Sequence, residues 1–198
     1  LRVFLVEEVF TMKKFVLTLF LLFLIGSNIF AYAYIAGKNI ISPNEPFVIS
    51  GFGENKLQMT VYKIKDPLKL LLEEKQVSSL EKKMILSKTI KSDDDGRISH
   101  KEVLKDYGVY LVELVSNIQN NSKDLTQAII IVTDLDFISV YDGEQAKITP
   151  VDLITGNKRE ADIYTADNSD NFSAFLQKTE LSIKSSNLKR VVLKSNNQ

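Results

Sequence analysis

The chain contains no cysteine and a single histidine. Without cysteine there can be no disulfide, no thiolate metal site, no cysteine nucleophile and no lipid-modified cysteine. One histidine cannot assemble a zinc site, which needs several nitrogen or sulfur ligands. That residue, His100, lies among Ser99, Lys101 and Glu102 and reads as an exposed loop residue. A Ser–His–carboxylate triad would need it beside a presented serine, and no Gly-x-Ser-x-Gly elbow exists. Glycine is scarce, and no Gly-rich phosphate loop appears: Gly51-Phe52-Gly53 lacks a third glycine and any Lys-Ser/Thr sequel. An excess of one charge is missing as well. Lys plus Arg number 25, Asp plus Glu number 25, and no long basic block breaks the balance, so no nucleic-acid footprint is expected. Carboxylate pairs such as Glu73-Glu74 and the run Asp93–Asp95 sit in polar stretches and read as solvated surface rather than general acid–base machinery. No cofactor is implied.

What remains is ordinary globular composition, 44% hydrophobic and 25% charged over 198 residues, which excludes wholesale disorder and allows one or two domains. Met12-Lys13-Lys14, the apolar run Phe15–Ile25 and the exit Ala31-Tyr32-Ala33 are the three parts of a secretory signal peptide. The small-x-small spacing of Ala31 and Ala33 predicts cleavage before Tyr34. Residues 1–11 fit no targeting pattern and read as lying upstream of the biological start at Met12. The rival reading is an uncleaved inner-membrane anchor over residues 15–36, since that stretch approaches the roughly 20 residues a spanning helix needs. Either way the chain is exported, to the periplasm or cell envelope, and touches the membrane through this segment. An exported chain without cysteine must be stabilised by core burial, which its size permits.

The mature part reads as β-structure. Ala128–Val132 is a continuous apolar strand, and Asp142-Gly143 between the alternating segments Phe137–Tyr141 and Gln145–Leu153 is a strong hairpin signal, because glycine accepts the positive φ of a tight turn. Ser42-Pro43-Asn44-Glu45-Pro46 is turn chemistry ahead of the strand Phe47–Ser50. Leu57–Ile64 alternates as a half-buried strand. Asp66-Pro67 opens a short helix over Leu68–Lys75, with Asp66 as cap and Pro67 at a position that needs no N–H. The charged stretch Glu73–Lys83 reads as a solvated excursion, Ile85–Ile90 as a strand, and Gly108–Val115 as the clearest strand. Ser92-Asp93-Asp94-Asp95-Gly96, with Glu102 beyond, has the letters of a calcium loop. Its first ligand position would be Lys91, so a hairpin tip at Asp95-Gly96 is the preferred reading. Further strands are expected at Leu125–Val132, Ala161–Ala166, Phe172–Leu176, Glu180–Lys184 and Lys189–Lys194. Thr155–Lys158 reads as a turn, and Phe52, Tyr62, Tyr110 and Phe137 as core.

The resulting expectation is an all-β chain of tandem immunoglobulin-like sandwiches, one over residues 34–133 and a second over residues 134–198, behind a signal segment at residues 12–33. A sandwich of this kind usually takes about 100 residues, so the second is expected to be incomplete, with an open strand edge.

Val61-Tyr62-Lys63-Ile64-Lys65-Asp66-Pro67, then Gly108 to Glu113, then Ile130 to Leu135, and finally Val151–Lys158 stand in an order that resembles the amino-terminal region of bacterial alpha-2-macroglobulins. The resemblance covers most of Pro43 to Phe175. It implies macroglobulin-type domains from a large periplasmic protein that traps proteases, with a protease or the remaining macroglobulin domains as protein partners. It also implies that the bait segment and the Cys–Gln thioester of many members lie beyond this chain, so that the chain is a non-enzymatic fragment of an endopeptidase inhibitor. In a bacterial chain the glycosylation patterns at Asn120 and Asn171 read as chance matches. The alternative function is an envelope binding or adhesion module that recognises a protein partner through a sandwich face or edge.

Overall fold

A computed structural model describes residues 32–53, 56–73, 77–117, 123–169 and 171–195. The segment up to Ala31, which holds the apolar run expected to be a signal, lies outside the described residues, as does most of the loop after Asn117. No described helix is long and apolar enough to cross a membrane.

Strands β1 (Tyr32–Ala36), β3 (Pro46–Phe52) and β6 (Arg97–Val103) form one sheet in the order β1-β3-β6. Facing it is a five-stranded sheet in the order β2-β8-β7-β4-β5, made of β2 (Ile40–Ile41), β4 (Lys56–Ile64), β5 (Lys82–Lys91), β7 (Gly108–Asn117) and β8 (Lys123–Val132). Alternate residues of both sheets meet in one core that includes Phe47, Ile49, Met59, Ile98, Tyr110 and Ile130, with Leu57 and Val61 fully buried. This is the period-2 burial a half-covered sheet produces. The Tyr110 hydroxyl donates to the Asp106 carbonyl at 2.7 Å, so the ring can be buried without stranding its polar tip.

The opposite parity of β7 is buried too. Val109 and Leu111 join Ile64 and Leu80 in a second cluster, covered by Leu70 and Leu71 of α1 (Pro67–Glu73). That double covering explains why Gly108–Val115 is apolar on both sides and so legible as a strand. Helix α1 begins at the proline as expected, and Asp66 pairs with Lys69 at 3.2 Å. Beyond it the structure departs from the sequence reading. The excursion over Glu73–Lys83 contains a 3-10 turn at Val77–Ser79, the buried Leu80 and the first residues of β5. Lys82 belongs to the sheet because Glu113 of β7 accepts its ammonium at 3.1 Å and the Tyr62 ring lies 4.5 Å from it.

The Asp93–Gly96 run forms the β5–β6 hairpin tip. Asp93 Oδ1 accepts the backbone N–H groups of Asp95 and Arg97, and Gly96 holds φ 75°.

Six further strands follow: β9 (Leu135–Tyr141), β10 (Gln145–Asp152), β11 (Ala161–Ala166), β12 (Phe172–Lys178), β13 (Leu181–Lys184) and β14 (Arg190–Lys194). They make two three-stranded sheets, β13-β10-β9 and β12-β11-β14, with Ile148 and Ile163 as fully buried side chains. The β9–β10 hairpin turns at Asp142-Gly143, where Gly143 has φ 98° and Asp142 Oδ1 accepts two backbone N–H groups. The architecture is thus all-β sandwich with, among the described residues, one α-helix. Phe137, expected in the core, is 40% exposed, because β9 is an edge strand with a neighbour on one side only.

Candidate functional site

Of the three residues expected at the signal exit, Ala31 lies outside the described residues. Ala33 and Tyr34 are in β1, paired with Gly51 and Ser50 of β3.

His100 is not in a loop. It sits in β6 opposite Ile49 of β3, half-buried, with Nε2 3.1 Å from Glu102 Oε2 and 3.5 Å from Lys88 Nζ. Lys88 reaches the same carboxylate at 3.3 Å and so joins β5 to β6 across the open side of the sandwich. Partial burial pushes the Glu102 pKa up, but the hydrogen bonds from His100 and Lys88 and the Lys88 charge outweigh it, and the net shift is downward. The cluster ties β5 to β6. Among the described residues no group of three or more His, Asp or Glu is placed to hold a metal ion.

The densest polar site lies where the first pair of sheets meets the second. Arg159, half-buried, donates to Asp152 Oδ2 at 2.9 Å and lies 3.4 Å from Asp134 Oδ2. Tyr107, from the loop before β7, donates its hydroxyl to Asp134 at 3.2 Å. The local chain explains the convergence. Asp134 is in the short link between β8 and β9, and its carbonyl accepts the Leu153 N–H at 2.8 Å. Asp152 folds the turn after β10 around itself, with Oδ1 accepting Ile154 N, Thr155 N and the Thr155 hydroxyl. Those Thr155 bonds, backbone first, hold the Asp152 pKa below its ordinary value, with Arg159 adding to the effect. Desolvation, then the Asp134 charge, raises that of Tyr107. A guanidinium shared by two carboxylates holds the three side chains in one orientation. The arrangement cross-links the β8–β9 link to the turn after β10.

Beside this junction lies an open cleft of about 630 Å³. Lys38, Ile40 and Glu45 line it from the first sheets, and Asp136 and Ile154 from the second. On the other flank, α1 packs against β14 and the Arg190 guanidinium donates to the Leu72 carbonyl. Among the described residues the first and second sheet pairs touch at the Arg159 junction and at the α1–β14 contact.

Sequence reasoning did not single out Tyr107, Asp134, Asp152 or Arg159 as a group. The turn letters around Asp152 gave a local signal, but the partners lie 25 and 27 residues apart along the chain and meet only in three dimensions.

No family model matches the chain, and no curated protein matches it. Solved structures do. Native alpha-2-macroglobulin from Escherichia coli, in a crystal structure spanning domains NIE-MG1, superposes with a TM-score of 0.65 at 10% identity, covering 87% of this chain and 96% of that one. The longer crystal structure spanning domains MG0-NIE-MG1 gives the same TM-score and identity over 85% of this chain, which spans 62% of its length. In the cryo-EM reconstruction of the native conformation of the E. coli protein, this chain spans 12% of the length, with a TM-score of 0.45. At such identities the likeness is one of fold.

Proposed function

We propose that this chain supplies amino-terminal, macroglobulin-type domains of an exported, non-catalytic endopeptidase inhibitor that acts as a protease trap. The observation that carries the reading is the superposition on the NIE-MG1 pair, which takes in nearly all of that two-domain structure and most of this chain. The junction chemistry supports it: Arg159, Asp134, Asp152 and Tyr107 brace one sandwich against the next, as a scaffold of stacked domains requires. The absence of cysteine means that no thioester forms within these residues. The chain therefore contributes framework, and the bait is placed in other domains, with a protease and those domains as protein partners. The first sandwich is assigned to residues 34–133 and the second to residues 134–198. Export proceeds through residues 12–33, with cleavage after Ala33 and delivery to the periplasm or cell envelope.

The test uses the full-length gene product that carries these domains. It is preincubated with an endopeptidase, and residual activity is read on a large protein substrate and on a small chromogenic peptide. Suppressed cleavage of the protein with retained cleavage of the peptide is the expected result, because an enclosed protease still admits small molecules. Unimpaired cleavage of both would overturn the reading.

A further inference from the structure

We propose that the outer edge of β9 is a docking edge for an extended segment of another protein, continuously apolar in its centre and carrying Lys or Arg at both ends. Strand β9 pairs with β10 alone, over a regular register from Leu135↔Asp152 to Tyr141↔Ala146. The Asp142 N–H donates to the Gln145 carbonyl and the Leu153 N–H to the Asp134 carbonyl, so even-numbered residues turn their backbone groups toward β10. The odd-numbered residues Phe137, Ser139 and Tyr141 therefore direct theirs to the outer edge. Asp136 Oδ1 accepts the Phe137 N–H at 2.8 Å, which leaves the Ser139 and Tyr141 donors as the central handles for a new strand.

The side chains along this edge are apolar on both faces. Phe137 and Tyr141 lie on one side, 40% and 66% exposed, and Ile138 and Val140 on the other, 52% and 58% exposed. An added strand would place its own residues alternately against these two pairs, which is why the partner must be apolar at successive positions rather than at every second one. The ends of the edge are acidic: Asp136 at one, Asp142 and Glu144 at the other, with no Lys, Arg or His between Lys123 and Lys147. Lys147 faces Glu180 at 2.8 Å on the far side of β10, so it does not offset them. An acid-flanked apolar edge selects a base-flanked apolar strand.

Four other edge strands carry the usual protection against strand addition. β5 has lysines and a bulge opposite Val61/Tyr62, β6 carries Arg97 and Lys101, β2 is two residues long, and β12 has a register shift. β9 has neither bulge, proline nor lysine. Two β9 strands paired about Ser139 would set Asp136 against Asp142 at both ends, which disfavours a second copy as occupant. Two internal segments have the stated pattern: Lys82–Lys88, where Lys82 is paired with Glu113 and Lys88 with Glu102, and Lys189–Lys194, where β14 touches β9 but takes its ladder hydrogen bonds from β11.

The experiment is fluorescence anisotropy with the exported chain and a labelled synthetic peptide, Lys-Lys-Val-Ile-Val-Tyr-Val-Lys-Lys, at low and high salt. Sedimentation of the chain alone is run in parallel. Saturable binding that weakens with salt is expected. Ser139→Pro should weaken it by about tenfold or more, because it removes an outward N–H and leaves the β10 ladder intact, whereas Ser139→Ala should not. Glu144→Lys should weaken it as well, and serves if the proline variant misfolds. No binding, equal binding of the same peptide with glutamates for lysines, or binding indifferent to both variants overturns the proposal. So does self-association of the chain abolished by Ser139→Pro, which would assign the edge to a second copy.

Discussion

A Cβ placed on Gly51 would stand 2.5 Å from the carbonyl oxygen of Tyr32. The two strands β1 and β3 therefore approach as closely as they do because residue 51 has no side chain.

In the uncleaved chain, which retains Tyr32 and Ala33, replacing Gly51 by alanine is expected to displace β1 from the sheet, since the obstructing atom is backbone and cannot rotate away. The loss should be about 1–3 kcal/mol in urea unfolding, with increased amide exchange over Ile35 and Ala36. An unchanged midpoint would mean that β1 contributes nothing to the first sandwich.

Arg159→Met is expected to destabilise the chain, seen as a lower urea midpoint, because Asp134 and Asp152 lose the guanidinium they share. The readout that distinguishes bracing from local folding is limited proteolysis. Cleavage between β8 and β9 should accelerate, while the first sandwich stays resistant.

Tyr110→Phe removes the hydroxyl bond to the Asp106 carbonyl and leaves the ring packing in place. A loss of about 0.5–1.5 kcal/mol is expected in thermal or denaturant unfolding. Tyr110→Ala, which also empties the core, should cost about 3–5 kcal/mol.

Stability should fall in acid. Glu102, Asp142, Asp152, Asp167 and Glu180 all have folded pKa values below their ordinary ones, chiefly through hydrogen bonds that the charged carboxylate accepts. Each then contributes stability that is complete above the unfolded carboxyl value of about 4 and disappears as the pH drops through the lower folded value. The melting temperature is expected to be flat from neutrality to about pH 5 and to decline below about pH 4. Asp152→Asn should blunt that decline. A melting temperature that rises on acidification would contradict the assignment.

The mature amino terminus is read by mass spectrometry of the exported protein. Cleavage after Ala33 leaves Tyr34, Ile35 and Ala36 to hold their register with Ser50, Ile49 and Val48. A terminus at or before Tyr32 would instead retain all of β1.

Local letters carried much of the strand map. Asp142-Gly143 and Asp95-Gly96 turn the chain because glycine alone takes those positive φ values cheaply, and Pro67 starts α1 because its missing N–H costs nothing there. Ala161–Ala166 matches its observed strand residue for residue. Strands β1, β2 and β6 escaped the sequence reading for a common reason. They are short or at an edge, so each buries at most one residue and shows little periodicity, and in β6 that residue is Ile98.

What the sequence by itself determined was therefore local: an all-β chain, its hairpin tips, the start of α1 and the chemistries it cannot perform for want of cysteine and of a second histidine. The tertiary structure decided which face of each strand meets another. It buried Tyr110 and exposed Phe137, although both are aromatics in alternating strands, because β7 has neighbours on both sides and β9 on one. It brought Arg159 to Asp134 and laid β2 parallel to β8, pairings between residues far apart in the chain. Such contacts depend on how sheets stack and where edges fall, and no window of neighbouring residues encodes that packing.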